Sequence, residues 1–165
     1  MNEALEKLVD NAAGRRPLAA SAPLESFRGQ PLQPGQALYA NQNERLNIDF
    51  TVDRLPFPDI QVMDPRVLRI PPGKNNEWHK HAHETLFVVL SGEGEVRVGE
   101  GRFPVKAGEV AYVPRWMFHQ TLNTSATAEL VVLAITDFGF TSAVLGDYDK
   151  RTRLSGGGTD SAENR

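Results

Sequence analysis

The sequence has no cysteine and only four histidines among its 165 residues. The first absence excludes disulfides, thiolate metal ligands and a cysteine nucleophile, so any metal must be held by nitrogen or oxygen. Charge of one sign is also lacking. Lys plus Arg number 18 against 21 Asp plus Glu, a formal charge of -3, so no basic excess exists to neutralise a phosphate backbone and nucleic acid is not an expected partner. No run approaches the roughly 18 apolar residues of a membrane span. The opening MNEALEKLVD is amphipathic and acidic rather than a charged-then-apolar export signal. These absences predict a cytoplasmic protein that meets small molecules rather than membranes or nucleic acid.

What is present falls into three stretches. Residues 1–36 hold Leu5, Leu8, Val9 and Ala12 at helical spacing before Gly14, then Pro17, Pro23, Pro31 and Pro34. They predict a short N-terminal helix followed by an extended proline-rich segment. Residues 37–148 change texture to short runs rich in Val, Ile, Phe, Tyr and Thr, punctuated by Gly, Pro, Asn and Asp. Runs such as ERLNIDFTV, VLRI, TLFVVLS, EVAYV and AELVVLAITDF read as strands, and SGEG, GEGR and KAGE as turns between antiparallel neighbours. The expected fold is all-β, a small antiparallel barrel or jelly roll with no long helix inside it. Residues 149–165, ending RLSGGGTDSAENR, have little to bury and are expected to form a disordered tail.

The histidines are not scattered. His79, His81 and His83 occupy alternate positions in EWHKHAHETLF, so in an extended strand they share one face with Thr85, while Lys80, Ala82 and Glu84 take the other. A single histidine of this kind is ordinarily a polar or hydrogen-bonded structural residue. Several gathered in one place repel when protonated, and a cation gives a reason to hold them neutral. The fourth, His119, lies in another strand-like run, GEVAYVPRWMFHQTLN.

These two segments resemble the paired motifs of the cupin superfamily. Gly73, the five residues KNNEW, His79-Lys80-His81 and Gly92 match the first motif; Gly108, EVAYV, Pro114, His119 and Asn123 match the second. The resemblance covers about residues 45–137. It implies a metal held by His79, His81 and His119. It also implies a homodimer, since many cupins pair through exposed strands.

Two departures narrow the comparison. Thr85 stands where the family's carboxylate ligand is usual, and Glu84 is one residue early, on the outward face unless a bulge turns it in. Trp116 stands where the second motif has glycine. The string Pro114-Arg115-Trp116-Met117-Phe118-His119 is similar to that of gentisate-type ring-cleaving dioxygenases, which also use three histidines without the carboxylate. Three neutral imidazoles leave a divalent ion its full charge and three open octahedral positions. The resemblance therefore implies a non-haem Fe(II) dioxygenase of a small oxygen-rich acid, phenol or diketone. Zn, Mn or Ni could sit on the same nitrogens. A metal-dependent isomerase or lyase of a small carbonyl or sugar substrate, and a binding cupin without turnover, remain as alternatives.

Around that centre, His83 is expected to act as a nearby base, join as a fourth ligand, or face water at the barrel mouth. Thr85 is a candidate to hydrogen-bond a bound substrate. Trp116 and Phe118, with Trp78, are candidates for an aromatic substrate pocket or for plain core. Arg69, Arg97 and Arg115 each offer a fork for a substrate carboxylate, although a strand arginine more often faces solvent.

Overall fold

The computed structural model describes residues 36–55, 62–145 and 153–155. The expected N-terminal helix and proline-rich stretch lie outside the described residues. Eleven strands are described: β1 (Gln36–Asn43), β2 (Ile48–Arg54), β3 (Asp64–Ile70), β4 (His79–His81), β5 (Thr85–Ser91), β6 (Glu93–Val98), β7 (Gly101–Lys106), β8 (Val110–Val113), β9 (His119–Asn123), β10 (Leu130–Thr136) and β11 (Arg153–Ser155). A 3-10 turn, Glu44–Leu46, follows β1, and one α-helix, α1 (Phe138–Leu145), follows β10. Among the described residues no helix is long and apolar enough to cross a membrane.

The strands form two sheets, in the orders β1-β2-β3-β10-β5-β8 and β11-β4-β9-β6-β7, with every named pairing antiparallel. This is the expected β-barrel of the jelly-roll type. Alternation along the strands sends one set of side chains inward. On β2, Ile48, Phe50 and Val52 are buried; on β5, Phe87 and Val89; on β10, Leu130 and Val132. From the facing sheet Val96 and Val105 meet them in one core. Each such residue contributes roughly 1.5–3 kcal/mol on burial.

Of the three expected turns, one joins paired strands. The β6–β7 hairpin closes at Val98↔Gly101, whereas SGEG and KAGE carry the chain from one sheet to the other. Gly92, at the first of these crossings, has φ +81, and a Cβ there would lie 2.4 Å from the carbonyl oxygen of Glu129. Only glycine lets the two backbones approach so closely. Pro104, which cannot donate to a ladder, sits on β7 at the sheet edge, where its missing N–H is harmless.

Three elements differ from the sequence expectation. QALYANQN forms β1, paired with β2 through Asn43↔Ile48. The end of AELVVLAITDF is helical: the Phe138 amide donates to Thr136 Oγ1, and the Phe140 and Thr141 amides donate to the Asp137 carbonyl, so the TD pair starts α1. Within the stretch expected to be a tail, Arg153–Ser155 pairs with β4 through Arg153↔His81 and Ser155↔His79. The rest of that stretch lies outside the described residues.

Candidate metal centre

Two strands bring the histidines together. β4 and β9 are antiparallel neighbours with His79 directly opposite His119, and inward alternation on both buries His79, His81 and His119. The ring centroids are 4.3 Å apart for His79 and His119, 4.6 Å for His81 and His119, and 5.3 Å for His79 and His81. The nitrogens they can offer a metal lie within 4.8 Å of one another.

Each ring has the same backbone partner arrangement. Nδ1–H of His79 donates to the Glu77 carbonyl (2.9 Å), that of His81 to the His83 carbonyl (2.9 Å), and that of His119 to the Met117 carbonyl (3.0 Å). A carbonyl only accepts, so in the neutral ring Nδ1 carries the proton and Nε2 carries the lone pair. Three imidazoles with ligand nitrogens within 4.8 Å of one another, each ring fixed from behind, make a donor set compatible with a divalent metal.

The turn between β8 and β9 ties two of these histidines together. The Trp116 amide donates to the His81 carbonyl at 2.7 Å, and one residue later Met117 supplies the acceptor for His119. Trp116 has φ +57, a left-handed conformation that is uncommon for a bulky side chain. The residue is 44% exposed.

Buried asparagines complete the frame. Asn76 accepts from the Thr121 amide through Oδ1 while its own amide donates to the Thr121 carbonyl. Asn123 donates through Nδ2 to the Ile70 and Ala128 carbonyls. Of these, only Asn123 is visible in the sequence, as a motif residue; Asn76 gives no signal beyond an ordinary turn residue.

The neighbouring candidates are placed as follows. His83 is 3% exposed, stacked on His81 with centroids 3.5 Å apart and planes 9° apart. It is therefore not in water at the barrel mouth. Burial, and after it the neighbouring His81, Arg66, His119 and Arg115, push its pKa down from 6.5 to about 2. Such a ring stays neutral and is a weak base at ordinary pH. Thr85 is 2% exposed on the inner face of β5, whereas Glu84 is exposed and accepts from the Tyr112 hydroxyl at 2.9 Å. No bulge turns Glu84 inward, and among the described residues the three histidines stand without a carboxylate.

The aromatic candidates are not brought to the histidines' inner face. Phe118 precedes inward His119 and so points outward, stacked on Trp78 (5.7 Å, 12°) with the Lys80 ammonium 4.8 Å above it. The arginines all have protein partners. Arg69 bonds Asp53 and Glu129, Arg97 bonds Glu95, and Arg115 bonds the Ala82 carbonyl and Asp137.

Residues 66–136 match the family model for the cupin domain. The matched segment runs from within β3 to the end of β10 and contains all four histidines. A curated relative, the oxalate-binding protein of Thermotoga maritima, is 33% identical over 69 residues, 41% of this chain. The chain spans only 56% of that relative's length. Among solved structures, a cupin-2 domain from Rhodospirillum rubrum aligns with a TM-score of 0.58 at 20% identity, covering 81% of this chain and 89% of that one. A cupin 2 conserved barrel domain protein from Rhodopseudomonas palustris aligns at 0.56 and 21% identity, covering 76% and 79%. At these identities the structural likeness shows the fold alone. The family model covers less than half of the chain, and within that segment the chain resembles a cupin domain.

Proposed function

We propose that this protein is a metal-dependent cupin that captures a small organic acid through two of its oxygens, and that with Fe(II) it is a dioxygenase. The observation that carries the reading is the inward set His79, His81 and His119 with Thr85, not an acid, on the facing sheet. Without a protein carboxylate the ion keeps its full charge, which favours an anionic chelating ligand over a neutral one. Iron(II), when bound, supplies the redox chemistry needed to activate dioxygen. The Pro114-Arg115-Trp116-Met117-Phe118-His119 string supports the same assignment by its similarity to ring-cleaving dioxygenases.

The protein's own part is to hold and shield. Backbone carbonyls fix each imidazole with Nε2 forward, burial keeps water from the histidines, and the low proton affinity of His83 leaves an uncharged ring beside His81. A low-dielectric, water-poor surround strengthens the attraction between the ion and an acid. His83 would then serve as a neutral wall or hydrogen-bond partner for the acid, which argues against an isomerase that needs it as a base.

A second reading is acid binding without turnover, favoured by the similarity to an oxalate-binding protein. Anaerobic Fe(II)-loaded protein mixed with oxalate, gentisate, catechol or a β-diketone, then exposed to oxygen in a closed electrode cell, separates the two. Uptake of oxygen in proportion to one of these acids is the expected result. Tight acid binding with no oxygen uptake contradicts the dioxygenase and leaves the binding protein.

A further inference from the structure

We infer that Thr85 and Thr121 form a hydroxyl seat inside the barrel that receives the oxygens of a small dianionic acid, a role that rests on the metal-dependent reading above. Thr121 is 0% exposed and Thr85 nearly as buried, and neither Oγ1 has a hydrogen-bond partner among the described residues. A hydroxyl shut away from water without a partner is unfavourable, and native folds rarely keep one without use. One stands on β5 and the other on β9, in facing sheets.

The strands place both side chains inside the barrel. Thr121 follows His119 by two residues on β9 and so shares its inward face. Its backbone is clamped on both sides by Asn76, which fixes the side chain's direction. Thr85 projects from β5 in the opposite sheet, two residues from Phe87, whose ring centroid is 6.3 Å from that of His119. Its cross-strand neighbours, Val113 and Thr136, are themselves buried, and Thr136 is occupied with the Asp64 carbonyl and the Phe138 amide.

The chemistry selects the ligand. Each threonine can donate one hydrogen bond, so the pair suits a molecule rich in acceptor oxygens. An ion held by neutral imidazoles supplies positive charge in the same interior. A carboxylate acid satisfies all of these at once, with two oxygens toward the ion and others toward the hydroxyls. A dianion balances a divalent ion where a monoanion leaves excess charge. The histidines' depth in the barrel restricts the acid to a small one.

The test uses Co(II) as the metal and oxalate as the probe, with the wild type and the near-isosteric variants Thr85→Val and Thr121→Val. Metal content, oxalate affinity by calorimetry and melting temperature of the metal-free protein are read on each. The expected result is unchanged Co(II) content, an unchanged or higher melting temperature, and oxalate affinity weaker by about tenfold or more in each variant. Thr85→Ser, which keeps the hydroxyl, is expected to retain wild-type affinity. Wild-type oxalate affinity in both valine variants, with Co(II) still bound, overturns the seat and leaves the hydroxyls to ordered water. A wild type that binds no Co(II) overturns the metal reading itself, a different failure.

Discussion

Glu84 accepts a hydrogen bond from the Tyr112 hydroxyl on the outside of the barrel, one residue from Thr85, whose side chain is sealed inside. The bond raises the Tyr112 pKa above its ordinary value, chiefly because the protonated hydroxyl is the donor to the carboxylate. Strand alternation thus decides which residue of the pair can approach the histidines. Glu84→Gln is expected to leave metal content at the wild-type level and to change stability by less than about 1 kcal/mol. Elemental analysis and a denaturation curve check both. Loss of metal in Glu84→Gln would restore the acid to the centre.

Trp116 provides a backbone test. A non-glycine residue at φ +57 bears a penalty of about 1–2 kcal/mol that glycine avoids. Replacement by glycine and by alanine removes the same indole but only glycine relieves the backbone. Trp116→Gly is therefore expected to be more stable than Trp116→Ala by about 1 kcal/mol, measured by chemical denaturation. Equal stabilities would show that the turn does not hold the left-handed conformation.

Gly92 tests the sheet crossing. A methyl group there meets backbone rather than a flexible side chain, with Glu129 O at 2.4 Å and Leu130 Cα at 3.0 Å. Gly92→Ala is expected to destabilise by about 2 kcal/mol or more, visible as a lower melting temperature. A melting temperature equal to the wild type would contradict this crossing geometry.

His83 gives the metal-free protein a pH dependence. Its folded pKa of about 2 lies below the ordinary 6.5 of the unfolded chain. Between these values the unfolded chain binds a proton that the native state refuses, so stability is retained above pH 6.5 and falls as pH drops below it. His83→Phe keeps an apolar ring and removes this proton. The expected outcome is a smaller loss of stability between pH 7 and pH 5 than in the wild type, by denaturation at both pH values. Identical losses would place His83 in contact with water.

Much of this was legible in the sequence because strands repeat every two residues. The spacing of His79 and His81 put both rings on one face, and turn residues marked most strand ends. The same rule, applied from His119, turns Phe118 outward, a consequence hidden by the motif resemblance. Other features depend on tertiary partners. Asn76 looks like a turn residue until Thr121 is laid beside it, and α1 is too short and too uniformly apolar to show a helical period. QALYANQN becomes a strand through its pairing with β2, which no local pattern announces. Thr85 was visible as a missing carboxylate, whereas Thr121 carried no signal until its burial was known.

The central claim is that His79, His81 and His119 alone hold the ion. It is tested most directly by Co(II) titration of wild type and His119→Ala under identical conditions, with bound metal counted by elemental analysis. The account predicts about one ion per chain in the wild type and none retained by His119→Ala. Undiminished Co(II) binding by His119→Ala would contradict it.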